Sequence, residues 1–175
     1  QKHPEKVAWI QCVGSRDFHN ANPWCSSVCC MYATKQAVIA KEHDTNIKPT
    51  IFYMDIRAFG KDFDTYVDRA KDEYGIRYQR AMISAVREEP GTRNLILRYA
   101  QQDGTLIDEN FDMVVLSVGL QVPASIADLA DRLKVELNEH NFAATHPFSP
   151  IETSRPGVYA CGVFHGPKYI PSSFI

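Results

Sequence analysis

The alternation of apolar and polar positions predicts strands and helices in turn along the first half of the chain, followed by a β-meander. Val7–Ile10 is an apolar run that ends in the turn residues Cys12–Ser15, which is typical of a buried strand and its turn. After a polar loop over residues 16–24, partial helical spacing predicts a helix over Cys25–His43, with basic residues in its last turn. The further elements predicted are strands over Thr50–Ile56, Ile76–Gln79 and Met82–Val86, a helix over Asp62–Tyr74, a hairpin of Asn94–Tyr99 with Thr105–Asp108, a strand over Met113–Val118, a helix over Ala124–Leu133 and a strand over Val158–Cys161.

The order of these elements indicates an α/β fold whose parallel sheet is Rossmann-like, of the NAD-domain type, with a β-meander attached. Met113–Val118 is apolar without interruption, so we expect this strand to be buried on both faces of the sheet. A dinucleotide-binding Rossmann unit has a G-x-G-x-x-G turn after its first strand, but Cys12–Asp17 holds a single glycine, Gly14. The Rossmann-like domain is therefore predicted to be degenerate. Asp55 stands where a ribose-binding acid would, yet a solvated acid at a strand end is the favoured interpretation.

Length and composition are those of an ordinary globular domain, with 175 residues, 45% of them hydrophobic and 23% charged. The net charge is -2 and no basic tract stands out, which argues against nucleic acid or an anionic membrane as partner. No apolar run is long enough to span a bilayer and no signal peptide opens the chain, so a cytoplasmic location is predicted. The sequence at both ends of the chain predicts that it is a fragment of a longer protein. Gln1–His3 leads almost directly into a strand, and Pro171–Ile175 has the composition of a helix start.

Four of the five cysteines fall in one short stretch, namely Cys12 and, after twelve other residues, Cys25, Cys29 and Cys30. In a reducing cytoplasm such a cluster favours a metal-binding or redox site over a disulfide framework. On the predicted helix Cys25 and Cys29 share a face, while Cys30 lies about 100° further around. Adjacent helical thiols suit a single tetrahedral zinc poorly, whereas the separate iron corners of a [4Fe–4S] cluster match four thiolates.

Other interpretations of these cysteines stay open at this point. They are buried structural thiols, a zinc site, and a disulfide or thiol-exchange site, although the Cys-x-x-Cys spacing of the last class is absent. The fifth cysteine, Cys161, lies on a short apolar run and is predicted to be a small buried residue rather than a further ligand.

Several segments together resemble one known family. Trp9–Asp17 followed by Cys25–Ala37 carries the cysteine motif and resembles the A subunit of heterodisulfide reductase and its bacterial relatives. Asp112–Leu120, Gly157–Gly162 and Gly166–Pro171 fit the same family, and are similar to segments that occur widely among flavoproteins of the thioredoxin-reductase type. The resemblance covers nearly the whole chain.

The resemblance implies a fold with two dinucleotide-type domains. Residues 1–118 would form the degenerate NAD-type domain, altered to hold a [4Fe–4S] cluster, and residues 119–175 a partial return segment of an FAD-binding domain. Lys35 would lie near the N5/N1 edge of the flavin and stabilise its anionic reduced form. The implied cluster ligands are Cys12, Cys25, Cys29 and Cys30, and the implied FAD contacts are Gly157, Gly162, Pro167 and Lys168.

The function that the resemblance implies is an electron-transfer module of an oxidoreductase, which relays electrons between FAD and iron–sulfur centres. The implied partners are other redox subunits of a heterodisulfide-reductase-like complex and ferredoxin, and a homodimer stays open. The isolated fragment is not expected to be active by itself. Two alternatives remain, a zinc-binding structural or interaction domain and an NAD(P)-dependent disulfide reductase domain.

Overall fold

A four-stranded parallel sheet with a three-stranded antiparallel sheet beside it organises the molecule. The computed structural model describes residues 3–19 and 22–173. The elements in this part of the chain are β1 (Lys6–Val13), α1 (Cys29–His43), β2 (Lys48–Tyr53), α2 (Phe63–Asp72), β3 (Arg77–Arg80), β4 (Ile83–Glu88), β5 (Leu95–Ala100), β6 (Leu106–Phe111), β7 (Met113–Val118), α3 (Ile126–Leu133), β8 (Thr145–His146) and β9 (Ser149–Thr153), with short 3-10 turns at Gly162–Phe164 and Pro171–Ser173.

The parallel sheet has the strand order β3-β2-β1-β7, and helices α1 and α2 pack on one of its faces. Trp9 of β1 is buried against this face, and its indole N–H donates to Oε1 of Gln36 on α1 at 3.0 Å. Small residues of α1, Ala33 and Ala37, are fully buried there and let the helix approach the strands closely. Strands alternating with helices around a parallel sheet confirm the predicted Rossmann-like α/β fold.

The other face of the parallel sheet is covered by the antiparallel meander β4-β5-β6. Phe52 of β2 is buried between Tyr99 and Phe111 of the meander, with ring centroids at 5.0 and 5.8 Å. Both aromatic pairs are tilted or edge-on, which is the favourable geometry for such rings. The predicted meander and its Asp-Gly turn after β5 are confirmed.

Glu109 of β6 ties the two sheets together. Its carboxylate accepts hydrogen bonds from Lys6 Nζ at 3.2 Å, from Arg77 Nη2 at 2.6 Å and from Tyr99 Oη at 2.9 Å. Burial alone would raise the pKa of this carboxyl, but the hydrogen bonds from Arg77, Tyr99 and Lys6 outweigh it and hold the pKa below its usual value. The charged form of Glu109 is therefore the one that joins β1, β3 and β5.

The C-terminal part of the chain forms a small core of its own. Val135, Ala143 and Ala160 are buried together there, next to helix α3 and the β8–β9 pair. No helix within residues 3–19 and 22–173 has both the length and the apolar character needed to cross a membrane.

Three expectations about strands and burial are wrong. Strand β7 is not buried on both faces, since it is the edge strand of its sheet and leaves Leu116 and Val118 more than half exposed. Val158–Cys161 makes an isolated bridge between Glu152 and Tyr159 rather than a strand. Cys161 is exposed rather than buried.

Gly119, directly after β7, sets the distance between the end of the sheet and the loop before α1. Its N–H donates to the Val13 carbonyl at 3.3 Å. The hydroxyls of Ser15 and Ser26 are hydrogen-bonded to each other at 2.6 Å, and the Leu120 N–H donates to the Ser26 hydroxyl at 2.9 Å. A Cβ on Gly119 would collide with both hydroxyls and lie 2.8 Å from the Ser26 Cβ. Only glycine fits this position without moving the two serines.

Glu109→Gln is expected to lower the free energy of unfolding by about 1–2 kcal/mol, because the neutral amide loses charge-assisted hydrogen bonds. Since the pKa of Glu109 is lower in the folded protein, its contribution is present above the pKa of the unfolded chain and is lost as the pH falls through the folded pKa. Urea unfolding at pH 7 and at decreasing pH measures both effects. Asp108→Asn, at an exposed carboxylate of the same strand, is the control, and an equal loss there would contradict the assignment.

Gly119→Ala is expected to destabilise the protein by about 1–3 kcal/mol, because an added methyl group must push apart the Ser15–Ser26 pair. Gly166→Ala is the matched control, since a Cβ at Gly166 meets open space and its backbone needs no left-handed conformation. Urea unfolding of both variants measures the difference. Equal stabilities for the two variants would show that the close approach at Gly119 is not constrained.

Candidate functional site

The four clustered cysteines come from three different pieces of backbone. Cys12 lies near the end of β1, where the register with β7 shifts between Ile10 and Val13, and it adopts a left-handed φ of 62°. Cys25 lies in the loop, while Cys29 and Cys30 form the first turn of α1. The irregularity in β1 turns the Cys12 side chain out of the regular strand alternation.

The predicted helix start at Cys25 is wrong, because α1 begins at Cys29. Ser27 has a left-handed φ of 63°, which a continuing right-handed helix does not allow. The neighbouring Ser26 is fully buried and held by its hydrogen bonds to Ser15 and Leu120. Cys25 therefore lies before the helix, and the expectation that Cys25 and Cys29 share a helix face is also wrong.

The loop between Cys12 and Cys25 folds back on itself. The Ser15 N–H donates to the Cys12 carbonyl at 3.1 Å, and the Arg16 N–H donates to the Trp24 carbonyl at 3.0 Å. Trp24 packs edge-on against Phe142, with the ring centroids 5.2 Å apart. The two ends of the loop are thus joined, and the residues beside Cys12 and Cys25 face each other.

The tertiary structure brings all four thiols into one electrostatic neighbourhood. Burial raises the pKa of Cys29, and nearby Cys12 and Cys25 raise it further. Burial raises the pKa of Cys30 to about 11, and the other three cysteines act in the same direction. Burial also raises the pKa of Cys12. Without a cation these buried groups are held as neutral thiols, and a bound metal would favour their thiolates.

Backbone donors are directed at the sulfur atoms. The Ser27 N–H lies 3.4 Å from Cys25 Sγ, and the Arg57 N–H lies 3.5 Å from Cys30 Sγ. Helix α1 has no side-chain cap at Val28 and no acid in its first turn, so the positive end of its dipole faces the cysteines. These features favour negative charge at the thiols.

Asp55, after strand β2, lies between two arginines. Its Oδ1 pairs with Arg16 Nη1, and its Oδ2 accepts from Arg57 Nε at 3.1 Å. Burial would raise the pKa of this carboxyl, but the hydrogen bonds from Arg16 and Arg57 outweigh it and the pKa lies below its usual value. Asp55 is therefore an ion-paired acid rather than the simply solvated one expected from the sequence.

Four cysteine thiols are the donor set that a [4Fe–4S] cluster uses. Among the residues that the structure describes, no three His, Cys, Asp or Glu side chains surround one point closely enough to bind one metal ion. A [4Fe–4S] cluster binds each thiolate at a different iron, so its ligands are spread over a larger volume. Cys12, Cys25, Cys29 and Cys30 are the residues that would hold it.

The residues predicted for the flavin lie in several places. Lys35 lines a cavity of about 460 Å³ between α1 and α2, together with Met31, Tyr66 and Tyr169. Pro167 lines a smaller apolar cavity of about 180 Å³ in the C-terminal part. Lys168 neighbours His165, whose pKa is lowered by burial and by this lysine. Gly162 lies beside Ser173, and Gly157 lies in the turn after β9, in a separate groove.

Sequence reasoning missed Arg57, Ser26 and Gly119. Arg57 reaches the cysteines because β2 ends beside β1 in the parallel sheet, and no local spacing signals this. Ser26 and Gly119 are 93 residues apart in numbering and meet only in the folded chain. Each of these contacts depends on long-range packing.

Comparisons with known proteins agree with the resemblance seen in the sequence and give no support to the zinc alternative. A family model described as pyridine nucleotide-disulphide oxidoreductase matches residues 24–172. The second iron-sulfur A subunit of CoB–CoM heterodisulfide reductase from Methanopyrus kandleri is 43% identical over 98% of this chain and 27% of its own length. The A subunit of H(2)/formate:CoB-CoM heterodisulfide,ferredoxin reductase from Methanococcus maripaludis is 41% identical, also over 98% of this chain and 27% of its own length.

A solved structure supports the fold. The crystal structure of LpdA from Mycobacterium tuberculosis matches 97% of this chain and 32% of its own chain, with a TM-score of 0.53 and 14% identity. The chain thus spans about a quarter of the length of the curated relatives that it matches. It belongs to the pyridine nucleotide-disulphide oxidoreductase family, and over nearly its whole length it is similar to heterodisulfide reductase A subunits, as its cysteine motif predicts.

Proposed function

We propose that this chain is an electron-transfer module of an FAD- and [4Fe–4S]-dependent oxidoreductase that resembles the A subunit of heterodisulfide reductase. The observation that carries the proposal is the convergence of Cys12, Cys25, Cys29 and Cys30 at the turn between β1 and α1. A relative that covers nearly the whole chain is named an iron-sulfur subunit. The proposed role is to relay electrons between flavin and iron–sulfur centres.

The location of the cysteines explains how a nucleotide-binding fold can serve this purpose. In a Rossmann domain the turn after β1 and the N-terminus of α1 bind a pyrophosphate. Here the same turn carries thiols, and the N–H groups of Ser27 in this turn and of Arg57 after β2 are directed at sulfur. A bound cluster would supply one-electron chemistry at this position. The chain's own residues would hold the thiolates, donate hydrogen bonds to them and keep Cys29 and Cys30 out of water.

The flavin part of the proposal rests on Lys35. This lysine follows Cys30 along the same helix and lines a cavity with two tyrosines, so its ammonium is available to a ring system placed there. Gly157, Gly162, Pro167 and Lys168 stay predicted FAD contacts in the C-terminal part. Because an ammonium stabilises nearby negative charge, Lys35 would favour the anionic reduced flavin.

The whole protein's partners and location belong to the same proposal. Another relative carries heterodisulfide,ferredoxin reductase in its name, which supports other redox subunits and ferredoxin as partners. A homodimer and a cytoplasmic location stay predictions. The NAD(P)-dependent alternative is less favoured, because Asp55 is engaged with Arg16 and Arg57 and the β1–α1 turn holds thiols.

Anaerobic reconstitution with iron and sulfide is expected to give about four irons per chain and a broad visible absorption band. Cys29→Ser and Cys30→Ser should each abolish most of this absorption, because one cluster corner loses its thiolate. Cys161→Ser is the matched control, since Cys161 is exposed and lies outside the group. Iron, zinc and sulfide analysis measures the outcome. A colourless protein, one zinc without sulfide, or an equal loss in Cys161→Ser would contradict the proposal.

Lys35→Met is expected to make the flavin midpoint potential more negative by about 30 mV, equal to ~1.4 kcal/mol for a two-electron couple. The reason is that the anionic reduced flavin loses a neighbouring positive charge. The potential is measured by anaerobic redox titration of the full-length protein that contains this chain. Lys134→Met, at an exposed lysine paired with Asp131, is the control. An unchanged potential in Lys35→Met would show that this lysine is not beside the flavin ring.

A further inference from the structure

Two arginines and one carboxylate lie against the cysteine group. Arg16 pairs with Asp55, and Arg57 Nε lies 3.1 Å from the other oxygen of the same carboxylate. The Arg16 guanidinium also acts on the Cys12 thiol in the direction that lowers its pKa, and the Cys25 thiol acts on Arg57 in the direction that raises the pKa of this arginine. We refer to Arg16, Asp55 and Arg57 as the charge triad.

The charge triad connects segments that are distant in sequence. Arg16 is in the loop after β1, whereas Asp55 and Arg57 follow β2, and the ion pair joins the two. The Arg57 backbone adds a second contact, since its N–H lies 3.5 Å from Cys30 Sγ. The triad therefore contacts Cys30 through the Arg57 backbone and acts electrostatically on Cys12 and Cys25, so that it reaches three of the four proposed cluster ligands.

A role in stability alone does not account for this arrangement. The side chains of Asp55, Arg57 and Arg16 are 45%, 37% and 24% exposed, and ion pairs open to solvent contribute only about 0–1 kcal/mol. Charges and hydrogen bonds at cluster thiolates, in contrast, act directly on the energy of an added electron, because reduction makes the site more negative. The two arginines favour the reduced state, and the single carboxylate offsets part of their effect.

We propose that Arg16, Asp55 and Arg57 set the midpoint potential of the cluster held by Cys12, Cys25, Cys29 and Cys30, the arginines raising it and the aspartate moderating the rise. This inference rests on the proposed function. The couple involves one electron added to the cluster. The triad itself forms and breaks no covalent bond.

Opposite charge changes distinguish this role from a merely structural one. Arg16→Gln and Arg57→Gln each remove a positive charge from beside the cysteines, so each should make the cluster potential more negative. Asp55→Asn removes the negative charge and leaves both arginines, so it should make the potential more positive. Loosening of the loop would instead move the potential in the same direction for all three variants, or leave it unchanged.

The experiment is a dithionite titration of the reconstituted chain with mediator dyes, followed by visible absorption and by electron paramagnetic resonance of the reduced cluster. Arg16→Lys and Arg57→Lys keep the charge and should retain more of the wild-type potential than the glutamine variants. Asp108→Asn is the matched control, because Asp108 likewise pairs with two arginines, Arg87 and Arg98, but on the antiparallel sheet. Its potential should equal that of the wild type.

Iron and sulfide content, measured first, separates the two proposals. A wild-type chain that binds no cluster would overturn the proposed function and this inference with it. With full cluster content in every variant, shifts of one common sign, or none, would overturn the inference and leave the proposed function standing. Shifts of opposite sign for the arginine and aspartate variants would establish it.

Discussion

The contact of Gly119 with the hydroxyl pair of Ser15 and Ser26 is the constraint on which the cysteine arrangement depends. Ser15 follows the end of β1, and Ser26 lies between Cys25 and the start of α1. Gly119, directly after β7, lies against both hydroxyls. The hydrogen bond between the two serines fixes the separation of Cys12 from the other three cysteines. Because Gly119 has no side chain, the backbone after β7 can approach the two serines closely, and their short side chains can hydrogen-bond to each other there.

Burial and backbone polarity act on the thiols in opposite directions. Burial raises the pKa of Cys29 and Cys30, which favours the neutral thiol. The uncapped N-terminus of α1 and the N–H groups of Ser27 and Arg57 favour negative sulfur. Thiols in a site with both properties stay protonated without a cation and become thiolates once a bound cation compensates their charge. The same polarity that a Rossmann fold directs at phosphate is thus directed at sulfur.

The two faces of the parallel sheet pack against different elements. The helical face buries Trp9 and the small residues of α1, which places the first turn of that helix beside the end of β1. The meander face buries Phe52 and holds β2 in register, so that Asp55 and Arg57 emerge beside the cysteines. Packing on both sides of β1 and β2 therefore determines which charged side chains reach the site, although Asp55 and Arg57 themselves lie beyond the carboxyl end of β2.

The sequence by itself determined the element order as far as α3, the α/β class, the meander and the grouping of four cysteines, because hydrophobic period and residue spacing are local properties. It also revealed the loss of the glycine fingerprint at the β1–α1 turn. Only the tertiary structure decided that α1 begins at Cys29, since Ser27 is held in a left-handed conformation and Ser26 in hydrogen bonds to residues far along the chain. The exposure of β7 and the pairing of Asp55 with Arg16 and Arg57 were likewise set by strand order, a long-range property that no local pattern encodes.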